Sequence, residues 1–438
     1  MSARSVLIDL APLRQSQPYR RFWVGGLLAG LGAQIAVVAV LFQVWEQTRN
    51  PYWVGAIGLV QAVPMIVMGL IGGPVADVLD RRTVALWSTA GQTVAALTLA
   101  AQLVVGLYPL PILLTVLAGQ TACAALGAPA RRTFTVRLLP RHLVAGGIAL
   151  HMISFQAAML VGPALGGLLI GATSVAVCYL INALALLISC WSVWVLPAMP
   201  PERGPATTPG TADTSRRRPL TRGWRRVWRR TRTALSLLGE GVTQVTRNPV
   251  LRGSFLLDLA ATLLAFPIAL FPMVNQELFG GDPRTLGLFM TAVAVGGVSA
   301  GLASGLVTRA RHLGRVQLLA VGIWGIALLG FGLAALAGIA WGALLALVVA
   351  GAADTASVTS RAAMVQLATP DRTLGRVTAV EHVIGVAGPD IGNARAGFVA
   401  GLTTPAWSAL LGAGACLVIS GWVALTHRPI ADFVVDEP

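Results

Sequence analysis

The chain reads as a succession of long apolar runs separated by short polar ones. Runs of about 20 or more residues lie near 22–44, 53–76, 84–106, 109–130, 144–170, 174–196, 250–274, 286–307, 316–337, 340–360, 377–401 and 405–426. About 20 apolar residues suffice for a helix to cross the hydrocarbon core of a bilayer. The first run, Phe22 to Val44, has only Gln34 and Gln43 as strongly polar members. The pattern predicts an all-α membrane protein with twelve transmembrane helices.

The polar segments between the runs give the orientation. With the N-terminus inside, 29 of the 32 basic residues fall on inner segments; Arg49 and Arg284 fall on outer loops and Arg395 within a span. Positive charge accumulates on cytoplasmic loops, so both termini are expected on the cytoplasmic side of the cell inner membrane. The net charge of +15 is explained by this asymmetry, and no nucleic-acid partner is implied. Charged residues make up 11% of the chain, against about 25% in soluble domains, and the mean hydropathy of +0.74 agrees. Every basic residue is Arg. A phosphate-binding loop needs Lys, so the chain is not by itself an ATP-driven pump. Cys123, Cys178, Cys190 and Cys416 lie far apart inside apolar runs, with no metal-ligand spacing. No metal or cofactor is expected. The first 21 residues carry Arg4, Asp9, Arg14, Arg20 and Arg21 in place of the apolar core of a cleavable signal.

The longest connection divides the chain into a six-helix bundle over 1–196, a basic cytoplasmic linker over 197–249, and a second six-helix bundle with a short tail over 250–438. Within the linker, Trp224, Trp228, Thr231, Leu235, Leu238 and Val242 recur between arginines. That spacing fits an amphipathic helix on the anionic inner leaflet; a disordered basic linker fits the same composition. The two halves also repeat each other. An offset of 230 pairs Arg131 with Arg361, Pro140 with Pro370, Gly162 with Gly392, Gly167 with Gly397 and Gly171 with Gly401, and Glu46 matches Glu277 at 231. Parallel halves of this kind resemble the major facilitator fold, with a substrate path at their pseudo-two-fold interface.

Local motifs carry the same resemblance. Gly73-Pro74-Val75-Ala76-Asp77 followed by Arg81-Arg82 is similar to the cytoplasmic signature of the major facilitator superfamily, departing from it at Val78 and Asp80. The resemblance implies a conformational latch made by Gly73, Asp77, Arg81 and Arg82, closing the halves in an outward-facing state. A carboxylate at Asp77 could cap a neighbouring helix. Gly162-Pro163-Ala164-Leu165-Gly166-Gly167 resembles the element associated with antiporters in that superfamily, its residues being Gly162, Pro163, Gly166 and Gly167. Further agreement at Ala130-Arg131, Asp258-Leu259-Ala260, Gly351 to Asp354, Gln366 to Asp371 and Leu374 to Val377 resembles the enterobactin-exporter-like branch, which comprises drug and siderophore proton antiporters.

Ionisable groups inside the membrane are costly and point to function. They are Asp258, Asp354, Glu381, Asp390 and Arg395, all in the second half. Proton coupling needs a carboxylate that can hold a proton near neutral pH. Asp258 and Asp390 are the preferred carriers. Glu381 could relay protons with His382, and Asp354 could either carry a proton or pair with Arg361. Arg395 would face an anionic or catecholate-bearing substrate, or form a structural salt bridge. Gln34, Gln120, Gln156 and Asn393, with Phe155 and Phe266 as stacking surfaces, are the expected cavity contacts. The expected activity is export of a small amphipathic molecule, a siderophore or drug, by alternating access coupled to proton influx. A symporter or uniporter for uptake and a non-transporting receptor or scaffold are the alternatives. An enzyme is not expected: the His427-x4-Asp432 spacing found in some acyltransferases stands at a membrane exit with no acyl pocket motif beside it. The partners implied are a small-molecule substrate, protons and the lipid bilayer, acting on a monomer.

Overall fold

Proline after a capping side chain starts many of the helices. Asn50, Asn248, Asp282 and Thr404 each accept a hydrogen bond from a backbone N–H in the first turn of the helix that follows, and a proline occupies that helix's first position. This satisfies a terminal donor and wastes none. Asp80 does the same for the third span without proline, accepting from Thr83 N at 3.0 Å. That gives a physical reason for an acid where the superfamily signature usually has glycine.

The computed structural model describes residues 9–106, 109–200, 220–303, 305 and 310–434. The first bundle comprises α1 (Gln17–Thr48), α2 (Pro51–Val78), α3 (Arg81–Val104), α4 (Leu110–Arg132), α5 (Val144–Ala172) and α6 (Val175–Trp194). Helix α7 (Leu220–Arg247) follows in the linker. The second bundle begins with a broken helix. Its α8 (Pro249–Leu259) runs into a π turn at Ala260–Leu264, an irregular step and a 3-10 turn at Ile268–Leu270, and resumes as α9 (Phe271–Phe279). Then come α10 (Pro283–Leu302), α11 (Leu313–Leu336), α12 (Ala340–Ala368), α13 (Asp371–Leu402) and α14 (Pro405–Thr426). The fold is all-α.

Eleven helical segments are long and apolar enough to cross a membrane among the described residues. The expected twelfth, α13, is 32 residues long but carries Glu381, Asp390 and Arg395, which take it out of the purely apolar set. Large side chains such as Trp87, Leu319 and Val418 stand exposed around the bundles, as hydrocarbon contact requires.

Small residues fix how the bundles meet. Helix α2 packs along α13, and α5 along α10. The crossings repeat each other. A Cβ at Gly397 would come within 2.5 Å of Gly55 Cα, and one at Gly167 within 3.2 Å of Gly287 Cα. Farther out, Gly401 meets the Tyr52 ring and Gly171 the Arg284 side chain. The repeated pair Gly167 and Gly397 therefore lets helices of different bundles touch backbone to backbone at two equivalent crossings, the use small residues serve in membranes. All these contacts lie towards the end of the molecule carrying the short loops near 49, 173, 282 and 403.

At the opposite, arginine-rich end, α7 spans both bundles. Val227 packs with Val75, Ala85, Ala130 and Phe134 of the first, whereas Val245 packs with Phe255, Val365, Val377 and Val380 of the second. Gly241 lies against the Arg376 carbonyl, and Glu240 pairs with Arg376 at 2.5 Å. The face turned to the protein is thus Val227, Thr231, Gly241 and Val245, while Trp228, Leu235 and Val242 stay exposed. The Pro/Gly/Thr-rich stretch 201–219 and the side chain of Trp224 lie outside the described residues.

Candidate functional site

Between the bundles lies a chamber of about 390 Å³. Its polar lining comes from Gln61 (α2), Gln92 (α3), Gln120 and Thr121 (α4), and Asp390 and Asn393 (α13), with Phe266 from the irregular step after α8. Asp390 is the only ionisable residue on this lining among the described residues. It follows Pro389 within α13, opposite Gly58, where a side chain on α2 would collide with the Asp390 carbonyl oxygen. Asn393 has a structural duty as well: its Oδ1 accepts from Ala269 N at 2.9 Å. That N–H belongs to the 3-10 turn that interrupts the seventh span, where an unsatisfied donor would be expensive at membrane depth. Phe266 stacks on Trp324, with ring centroids 6.2 Å apart.

The chamber shares Met65 and Ala124 with a second cavity of about 870 Å³ at the arginine-rich end. This vestibule is walled by α2, α4, α7 and α13 and is lined by Arg131, Arg132, Arg372, Arg376 and His382. Arg131 donates to Ser88 Oγ at 3.1 Å, Thr89 Oγ1 at 3.4 Å and the Ala124 carbonyl at 3.0 Å. Arg132 of one bundle lies 3.2 Å from His382 Nε2 of the other.

The remaining intramembrane charges do not line either cavity. Asp258 forms a buried ion pair with Arg361, which also reaches Glu381 at 3.5 Å. Asp258 therefore serves a sealed cluster joining α8, α12 and α13, a correction to its expected place in the cleft. Glu381 and His382, expected to act together, face apart: one towards Arg361, the other towards Arg132. Arg361 pairs with Asp258 and Glu381 and not with Asp354, its expected partner, and Asp354 lines neither cavity. Arg395 is turned behind α13 against Gly412, close to where the Leu264 carbonyl approaches. It lines a small pocket with Phe266 and Leu328.

Of the expected cavity contacts, Gln120, Phe266 and Asn393 converge with Asp390. Gln34 points instead at Met159 Sδ, 2.9 Å away, and packs on Gly162. Phe155 is 54% exposed on the outside of α5, and Gln156 lines neither cavity. Gln61 and Gln92, single amides in the second and third spans, were missed. Only their isolation within apolar sequence could have pointed to them.

Near the latch, Arg81, Arg82 and Asp80 make contacts within the first bundle and the chain that follows it. Arg82 donates to the Trp194 carbonyl at the end of α6, Arg81 N bonds Met199 O at 3.1 Å, and Asp80 accepts from Met199 N at 2.8 Å. Gly73 lines the vestibule. The Gly162–Gly167 element divides its contacts: Gly162 and Gly166 pack on α1, whereas Gly167 and the Pro163 carbonyl meet α10 of the other bundle.

Residues 8–432 match the family model described as transmembrane secretion effector. The chain is 26% identical to an enterobactin exporter of Escherichia coli O9:H4, covering 100% of this chain and 98% of that protein. It is likewise 26% identical to an enterobactin exporter of Shigella boydii serotype 18, over 96% and 94%. Among solved structures it resembles a POT family transporter in complex with 5-aminolevulinic acid (TM-score 0.70, 11% identity, 95% of this chain and 97% of that one). A D-xylose-proton symporter is also similar (TM-score 0.64, 15% identity, 95% and 97%).

Proposed function

The chain belongs to the transmembrane secretion effector family of major facilitator transporters, and on that premise we propose that it exports a small amphipathic molecule, a siderophore or a drug, in exchange for protons. The observation that carries this reading is the inter-bundle chamber with a single ionisable lining residue, Asp390. Arginine-rich loops lie on the cytoplasmic side by the positive-inside rule. The vestibule then opens inwards, and the glycine crossings close the outer side. A latch whose Arg82 contacts only its own bundle fits this inward-open state.

In the proposed cycle, cargo enters through the vestibule and rests its apolar body on Phe266 and its polar groups on the chamber amides. Rocking about the α2–α13 and α5–α10 crossings opens the chamber outwards. A proton taken up by Asp390 from outside then weakens its hold on the cargo, and release of that proton inside resets the site. Alternating access of this kind needs two states that the proton and the cargo prefer differently. Asp258, held by Arg361, keeps α8 and α12 together and carries no proton through the cycle.

Efflux from proteoliposomes under an imposed pH gradient tests the assignment. Wild type should lose cargo faster with protons driven inwards through the protein. Asp390→Asn should remove that dependence, with binding of cargo retained. Gradient-driven flux that survives in Asp390→Asn would refute the carrier. Comparing metabolites retained by a deletion strain in low and ample iron would separate a siderophore cargo from a drug-like one.

A further inference from the structure

The two halves carry an arginine at the same place and treat it in opposite ways. Arg361 in the second bundle is neutralised from within the protein, by Asp258 and Glu381. Its counterpart at the offset of 230, Arg131, bonds only two hydroxyls and one carbonyl, and no carboxylate pairs with it among the described residues. A largely desolvated charge without a counter-charge is costly. Arg131 is half-buried and lines a cavity. Beside it stand Arg132 and Arg372, with His382 against Arg132; among the described residues Arg376 alone of the group has an acidic partner, Glu240. The acids of the adjoining segments, Asp77, Glu240, Asp371 and Glu381, do not line the vestibule. The rest of the wall is apolar, with Met65, Ile66 and Leu238 among its members.

We propose that the vestibule is an anion-recognition site, in which Arg131, Arg132 and Arg372 take the carboxylate, phosphate or phenolate group of an amphipathic molecule whose apolar body extends towards the chamber. This rests on reading the two connected cavities as the transport path. It narrows the cargo to molecules with at least one anionic group, and it makes entry of cations unfavourable. Guanidinium groups suit the task because their fork of N–H donors matches planar oxyanions. An anionic lipid headgroup shares this chemistry and could occupy the same place.

The test is equilibrium binding to the full-length protein in zwitterionic nanodiscs, with three probes of one shape: dansylglycine, its neutral amide, and a dansylamidoethyl trimethylammonium. Wild type should bind the carboxylate about tenfold or more tighter than the amide, as a charge-assisted hydrogen bond requires, and the ammonium weakest. The double variant Arg131→Gln/Arg132→Gln should bring the three affinities together, while Arg131→Lys should keep most of the preference. Should loss of Arg131 prevent folding, Arg132→Gln/Arg372→Gln, both exposed, should narrow the gap by itself. Adding phosphatidylglycerol to the nanodiscs distinguishes the sources. Competition with dansylglycine in wild type but not in the double variant identifies a lipid headgroup as an occupant, and its absence leaves a free anion. Equal affinities in wild type, or a preference unchanged in both double variants, would overturn the proposal. No pH gradient is present, so the result stands apart from the direction and coupling of transport.

Discussion

Replacing Gly58 by Ala should loosen the outer closure and little else. A Cβ there would sit 3.0 Å from the Asp390 carbonyl carbon and 3.1 Å from Ala394 N, and would run into the Asp390 carbonyl oxygen. Carbon contacts are relaxed at about 3.5–4.0 Å, so α2 and α13 would have to part by roughly half an ångström or more along that crossing. Overpacking of this sort costs about 1–3 kcal/mol. The crossing belongs to the closed end opposite the vestibule, so the penalty falls mainly on the conformation described above. A differential of about 1–3 kcal/mol moves a two-state ratio by about 5- to 150-fold. Spin labels at Thr173 and Thr403, exposed on short loops of different bundles at that closed end, would read the change by pulsed electron–electron distance measurement. The variant should add or enlarge a longer-distance population. Gly69→Ala is the control: it lies on the same helix with open space around its would-be Cβ, and it gains the same helix propensity. If the two variants gave one distance distribution, the crossing would not control the closure.

Two further outcomes follow from the ion pairs. Asp258→Asn strips the buried Arg361 of its nearer counter-charge, and breaking a buried pair typically costs about 3–5 kcal/mol; thermal unfolding in detergent should show a clear loss, partly restored by adding Arg361→Gln. Glu240→Gln removes the partner of Arg376, but both side chains are substantially exposed, so the change should be below about 1 kcal/mol and the melting curve nearly unmoved.

Most of the architecture was legible because lipid imposes simple demands. Long apolar runs and the repeated Gly162/Gly392 and Gly167/Gly397 pairs are one-dimensional signals of span and helix contact. The fate of individual charges was not legible in the same way. Whether a residue on a span faces a cleft, a partner helix or lipid depends on rotation about the helix axis, which a run apolar on all sides does not reveal. Asp390 and Asp258 look alike in sequence, yet one meets the chamber and the other Arg361. Arg395 is turned behind its helix for the same reason. The interruption of the seventh span escaped too. The irregular turn depends on Asn393, 124 residues away, to satisfy its backbone. On α7 the apolar residues divide between two faces, and the protein-facing one includes Gly241, whose value lies in having no side chain.

Helix α7 has a mechanical consequence. Its buried ends, Val227 and Val245, are anchored in different bundles, and at about 1.5 Å per residue a helix keeps them roughly 27 Å apart. A rod cannot shorten as a coil does. In the proposed cycle, bundles swinging together at the arginine-rich end would force α7 to pivot, buckle or pull one anchor free, so the stroke of the machine would carry a fixed gauge written into the length of its connecting segment.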